Sequence, residues 1–124
     1  MRSLRFVAVI GVCVVALGLV ASASQNKFGV ADSRTINLTT PARVGGVLLP
    51  QGNYKVRHTM EGQDHIMVFR QLDARKPVEA RVKCQLVPLT KKADRDEQTF
   101  VLNAAKERVL HTLVFRGDTA QHVF

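Results

Sequence analysis

The chain has 124 residues, with 18 Lys and Arg against 10 Asp and Glu, 46% hydrophobic residues and two cysteines. That length holds one small domain, and its apolar share excludes an intrinsically disordered chain. A formal charge of +8 favours anionic partners, while two cysteines are too few for a disulfide-stapled scaffold.

Arg2 and Arg5 precede an uninterrupted apolar run over residues 6–20, which gives way to Ala21-Ser22-Ala23-Ser24. A basic start, a short apolar stretch and an A-x-A ending spell a secretory signal peptide over residues 1–23, cleaved after Ala23 or Ser24. The run approaches the ~18 residues that span a bilayer, but Gly11 and Gly18 break it and a cleavable site ends it. Lipid attachment at Cys13 is excluded, because the preceding Val12 is not small. Cleavage leaves 101 of the 124 residues and 16 basic against 10 acidic side chains, a charge of +6. Only Cys84 then remains, so no internal disulfide and no transmembrane span are expected. The expected location is periplasmic or secreted.

Residues 24–33 read as a polar, flexible lead-in to a single antiparallel β domain over residues 34–124. From there the apolar residues recur at every second position. Ile36 and Leu38 alternate with Thr35, Asn37 and Thr39; Tyr54 and Val56 alternate with Lys55 and Arg57. From Val78 to Leu86, Val78, Ala80, Val82, Cys84 and Leu86 share one parity, and Glu79, Arg81, Lys83 and Gln85 take the other. This is the period of strands with one dry and one wet face. Residues 65–72 and 109–115 are apolar on both parities at their centres, as in strands enclosed within a sheet. Leu49-Pro50-Gln51-Gly52 has the chemistry of a hairpin with a Gly bulge, and Arg116-Gly117-Asp118-Thr119 that of a two-residue hairpin with Gly117-Asp118 at its tip. Residues 88–96 form a charged loop. Residues 96–108 admit a helix capped by Asp94 or Asp96, but Thr99-Phe100-Val101-Leu102 favours strand–turn–strand. Seven or eight short strands of this kind build an all-β antiparallel sandwich or small barrel. Its core is expected to contain Ile36, Leu38, Tyr54, Val56, Phe69, Val82, Cys84, Leu86, Leu113 and Phe115.

The stretch from Val44 to Val56 follows the pattern V-G-G-x-x-L-P-x-G-x-Y-x-V. It resembles a pattern in small secreted bacterial proteins that are uncharacterised as a group, and the similarity extends more loosely from Ile36 to Phe124. The resemblance implies a cleaved signal, an all-β domain of about a hundred residues ending in a short hairpin, and no catalytic residues to transfer. Its members commonly have Ala where Gln51 stands and a Gly-containing turn where Asn103-Ala104-Ala105 stands.

The histidines are the first candidates for chemistry. With Gly117-Asp118 as the tip, Leu113 faces His122, and His111 becomes its diagonal neighbour on the face of Phe115 and Phe124. His111 and His122 are thus candidates for lining a ligand pocket. No third ligand is evident, so no metal or other cofactor is expected. His58 and His65 flank the turn at Gly62 and are placed to approach each other. Cys84 reads as a small buried hydrophobe rather than a nucleophile. Ser24 and Ser33, the only serines after cleavage, lie outside any nucleophile motif, and no phosphate loop or triad occurs, so an enzyme is not expected. Arg116-Gly117-Asp118 spells an integrin tripeptide that the turn alone explains. Asn37-Leu38-Thr39 is a glycosylation sequon relevant only to a eukaryotic route. Lys55, Arg57, Arg81 and Lys83 on outward parities, with Lys91, Lys92 and Arg95, make a basic surface. With no exposed aromatics to stack bases, it argues against specific nucleic-acid binding. The reading is a non-enzymatic binding or structural protein of the bacterial envelope with an anionic partner. The alternative is a carrier of a small hydrophobic ligand inside a β-barrel.

Overall fold

The computed structural model describes residues 27–124; the expected signal peptide and its cleavage site lie outside the described residues. The described residues form nine strands, more than the seven or eight expected: β1 (Ser33–Leu38), β2 (Ala42–Val44), β3 (Val47–Leu49), β4 (Gly52–Glu61), β5 (Asp64–Gln71), β6 (Glu79–Pro88), β7 (Glu97–Leu102), β8 (Arg108–Val114) and β9 (Ala120–Val123). They hydrogen-bond in the order β1-β4-β5-β6-β9-β8-β2-β3, with β7 also on β8, and the sheet does not close into a barrel. Neighbours are antiparallel except β2 and β8, which meet in parallel at Arg43 and Val109.

The turn in this path is made by β6. Its first part, Glu79 to Cys84, pairs with β5, and its second part, Gln85 to Pro88, pairs with β9. One ladder is therefore β1-β4-β5-β6 and the other is β6-β9-β8 with β7, β2 and β3. Tyr54, Val56, Phe69, Leu38, Leu49 and Leu113 fill the core with at most 1% exposure, each aliphatic or Phe side chain contributing about 1.5–3 kcal/mol. Cys84 and Phe115 are also buried, while Val82 and Leu86 are partly exposed. As the apolar centres of residues 65–72 and 109–115 suggest, β5 and β8 have neighbours on both sides.

Several local expectations give way to the observed geometry. Leu49-Pro50-Gln51-Gly52 does not close a hairpin: β3 pairs with β2, and β4 pairs with β1 and β5. It is a corner that carries the chain from one ladder to the other. The Tyr54 hydroxyl fixes it by donating to the Pro50 carbonyl at 2.6 Å. The hairpin lies just upstream, where Gly45 and Gly46 (φ +58° and +81°) join β2 to β3, the left-handed pair that a two-residue turn requires. The β8–β9 turn is centred on Arg116 and Gly117, not Gly117 and Asp118, because Asp118 N–H donates to the Phe115 carbonyl. Asp118 is fully buried beneath the 89–96 loop, whose Leu89 and Ala93 amides donate to the Thr119 and Asp118 carbonyls.

The lead-in is also partly structural. Val30 is fully buried, and the Gly29 carbonyl accepts from Thr119 N–H, because an apolar residue there completes the core beside the final turn.

Residues 96–108 form strand–turn–strand. Asn103 Oδ1 accepts from the Ala105 and Glu107 amides, and Lys106 takes the left-handed position (φ +61°). An Asx turn thus replaces the Gly-containing one. Bonds from Asn103 and Arg43 hold the Glu107 carboxyl below its usual range.

The Gly-Gly turn gives a paired prediction. A Cβ on Gly45 would meet the Arg81 carbonyl oxygen at 2.6 Å, whereas one on Gly46 meets nothing within 4 Å. Gly46→Ala should cost about 1–2 kcal/mol for its left-handed backbone alone. Gly45→Ala should cost clearly more, because the hairpin must also move off β6. Urea unfolding of both variants measures the difference, and equal losses would refute the contact.

Candidate functional site

The inward parity of β4 runs Tyr54, Val56, His58, and that of β5 runs Phe69, Met67, His65, so both strands end their dry face in an imidazole. Cys84 stands directly opposite His65 and is the last residue of β6 to pair with β5. His122, on the neighbouring strand β9, pairs with Leu86 and Leu113. These four side chains meet where the two ladders separate.

His58 Nε2 and His65 Nδ1 are 2.9 Å apart, so one ring donates and the other accepts. Cys84 Sγ lies 3.8 Å from His122 Nδ1. The centroids of His58 and His122 are 5.8 Å apart, which links the two pairs. Phe28 sets its edge against His58 and His65 at 5.8 and 4.8 Å, and Phe115 stands against His122 at 6.1 Å. His58, Cys84 and His122 are 7%, 7% and 1% exposed. His65 is half-buried and, with Cys84, Val123 and Phe124, helps to line a pocket of ≈ 320 Å³ that opens to solvent.

Burial favours the uncharged forms of His122, His58 and Cys84. Burial, then the neighbouring His58 and His65, lowers His122 to about 4. Burial and His65 lower His58, against a smaller opposing effect of Asp32. Burial pushes the Cys84 thiol up to about 11, far from the thiolate that nucleophilic chemistry needs. Among the described residues, no group of three or more His, Cys, Asp or Glu side chains could hold a metal ion.

Of the two histidines singled out from the sequence, His122 is in the cluster and His111 is not. Leu113 does face His122, but the β7–β8 register shifts between Thr99 and Phe100, which pair with Thr112 and Leu110. His111 is the extra residue of that bulge, and its side chain is exposed. The anticipated approach of His58 and His65 is realised. Pro50 and Gly52 form the corner described above. Asp118 is buried within 3.5 Å of Arg34, so the Arg-Gly-Asp tripeptide does not display its carboxylate. Asn37 of the sequon is exposed and bonded to Asn53. Sequence reasoning missed Phe28 and the union of all three imidazoles. The shared parity of Tyr54, Val56 and His58 was the available signal.

The outer face of β4-β5-β6 is different in kind. Lys55, Arg57, Arg70, Arg81 and Lys83 are all exposed there. Val68 lies between Arg57 and Arg81, and Ile66 between Thr59 and Lys83. Both are buried, as expected where long cationic side chains lay their stems over apolar neighbours. Arg70 pairs with Glu79 (3.3 Å), Lys83 with Asp64 (3.2 Å) and Arg81 with Glu61. Among the described residues no ion pair within 4.0 Å includes Lys55 or Arg57, which line a pocket of ≈ 240 Å³ with Val68, Arg70 and Glu79. No helix of the described residues is long and apolar enough to cross a membrane, and Cys84 is a free thiol. No family model, curated protein or solved structure matches the chain.

The buried, neutral His122 makes stability depend on pH. An unfolded histidine gains a proton near pH 6.5 that folded His122 accepts only near 4. The stabilisation from its neutral form is therefore complete above about pH 6.5 and declines as pH falls toward 4. Urea unfolding should show stability falling by on the order of 1 kcal/mol per pH unit between pH 6 and 4.5 for this group. His122→Gln should have a shallower slope; an unchanged slope would contradict a buried neutral His122.

Proposed function

We propose that this is an exported, non-enzymatic binding or structural protein of the bacterial envelope, which engages an anionic polymer or lipid surface through the outer face of β4-β5-β6. The observation that carries the reading is the spacing of Lys55 and Arg57 beside a solvent pocket, with no acidic partner recorded for either. Cations already paired with carboxylates lose those contacts when they bind an anion; Lys55 and Arg57 give up no such pair, and the Glu79 carboxylate lining the same pocket is held by Arg70. Arg70 and Arg81 flank them in the same register. The basic start, apolar run and A-x-A ending of residues 1–24 support export. The V-G-G-x-x-L-P-x-G-x-Y-x-V pattern supports kinship with small secreted bacterial proteins.

Binding of this kind is electrostatic and must weaken as the Debye length shrinks from about 10 Å at 0.1 M salt to about 3 Å at 1 M. Co-sedimentation with anionic phospholipid vesicles and with an immobilised anionic polysaccharide should show retention at low salt that is lost at high salt. Lys55→Glu with Arg57→Glu should abolish it, while Lys91→Glu with Lys92→Glu on the 89–96 loop, which lines a different pocket, should reduce it less. Absence of retention in low salt would overturn the reading.

A further inference from the structure

Four residues make a square on the outer face of β4 and β5. Lys55 stands opposite Arg70, and Arg57 opposite Val68. Within each strand one inward residue separates the two, so all four side chains leave the sheet on the same side. Three corners are long, exposed cations, and the fourth is a short aliphatic side chain with 8% exposure. The short corner leaves a hollow, the pocket of ≈ 240 Å³ rimmed by Lys55, Arg57, Arg70 and Glu79. Packing alone does not favour such a square, because like charges directly opposite each other destabilise a ladder. Glu79, opposite Arg70 on β6, offsets part of the repulsion with a carboxylate 3.3 Å from Arg70. Arg81, on the far side of Val68, is engaged by Glu61.

We propose that this hollow binds a phosphomonoester group, held by Lys55, Arg57 and Arg70 over the apolar floor of Val68. The site rests on the reading of the outer face as an anion-binding surface and narrows the anion to one chemical group. Charge selects that group. Three cations and one carboxylate give the lining a formal charge of +2. A phosphomonoester carries about −1.5 to −2 near pH 7 and presents three acceptor oxygens. A carboxylate or a phosphodiester spreads a single negative charge over two such oxygens and leaves the excess of the lining unmatched.

The donors also suit three oxygens. The planar fork of Arg57 addresses two of them together, and the Lys55 ammonium is a compact charge on a flexible stem that adjusts to the third. Arg70 meets Glu79 through Nη1 and keeps further N–H donors for the hollow. A bound dianion between Lys55 and Arg70 relieves their opposition across the ladder. Soluble phosphate esters and the headgroup of phosphatidic acid share this group.

The test is calorimetric titration at low salt with glycerol 1-phosphate, dimethyl phosphate and acetate. Beside it runs co-sedimentation with vesicles containing phosphatidic acid or phosphatidylglycerol at matched surface charge. The phosphomonoester should bind at least about tenfold more tightly than its competitors in solution, on vesicles, or in both. Selectivity in solution shows that the free ester suffices, and selectivity on vesicles alone makes the lipid headgroup the source; either supports the site. In the selective assay Arg57→Gln should weaken binding at least about tenfold, and Arg57→Lys, which keeps the charge without the fork, should recover only part of the loss. Val68→Leu fills the hollow without altering any charge and should also weaken binding by about tenfold. Should Val68→Leu fail to fold, the Arg57 variants and the ligand series still decide the matter. Equal binding of monoester and diester in both assays, or full affinity in folded Val68→Leu, would overturn the site and leave the anionic-surface reading standing. Absence of binding to every ligand and vesicle at low salt would overturn both.

Discussion

The molecule depends on one strand belonging to two ladders. β6 gives its first six residues to β5 and its last four to β9, and this change of partner turns a single sheet back over its own face. Strict alternation along Glu79 to Leu86 makes this possible: every second residue is apolar, so the dry face continues through the change while the wet face stays in water. The Gly45-Gly46 hairpin then rests on the first part of β6, with the Arg81 carbonyl against Gly45. The corner at Pro50, tied by Tyr54, returns the chain to the other ladder.

A fork in a sheet cannot be filled as densely as a regular ladder, because the strands on either side of it diverge. The residues that face the fork are Cys84, His65, His58 and His122, small or planar and polar, where the rest of the core uses Leu, Ile, Val, Met, Ala, Phe and Tyr. Phe28 from the segment before β1 and Phe115 from the end of β8 close its sides. The fork thus gathers buried polar side chains, apart from Asp118, which is buried beside Arg34 beneath the 89–96 loop. The outward parities of the same strands carry the cations, so β4, β5 and β6 present a cationic surface and an imidazole cluster on opposite sides.

Much of this was legible in the sequence, and the limits have physical causes. Period-two alternation marked β1, β4 and β6, and apolar residues on both parities marked β5 and β8 as interior strands. Burial decides side-chain direction and leaves that pattern in the chain. Pairing partners leave no such trace. Leu49-Pro50-Gln51-Gly52 suits a hairpin and a corner equally, because both need the fixed φ of Pro and the freedom of Gly. His111 was assigned to the wrong face because one inserted residue in β8 reverses parity, and nothing in Val109-Leu110-His111-Thr112 marks a bulge. His58 and His65 came together as the Gly62 hairpin requires. Their meeting with His122 depended on β9 lying beside β6, a contact between segments some forty residues apart.

The central claim is that the change of partner along β6 gathers three imidazoles and a thiol from four strands. Nuclear Overhauser contacts among the imidazole protons of His58, His65 and His122 and the Cys84 β-protons test it most directly. Those contacts should be present in the folded protein, with none from His111 to the cluster. A spectrum in which His122 contacts neither Cys84 nor His58 would contradict the fork and the site built on it.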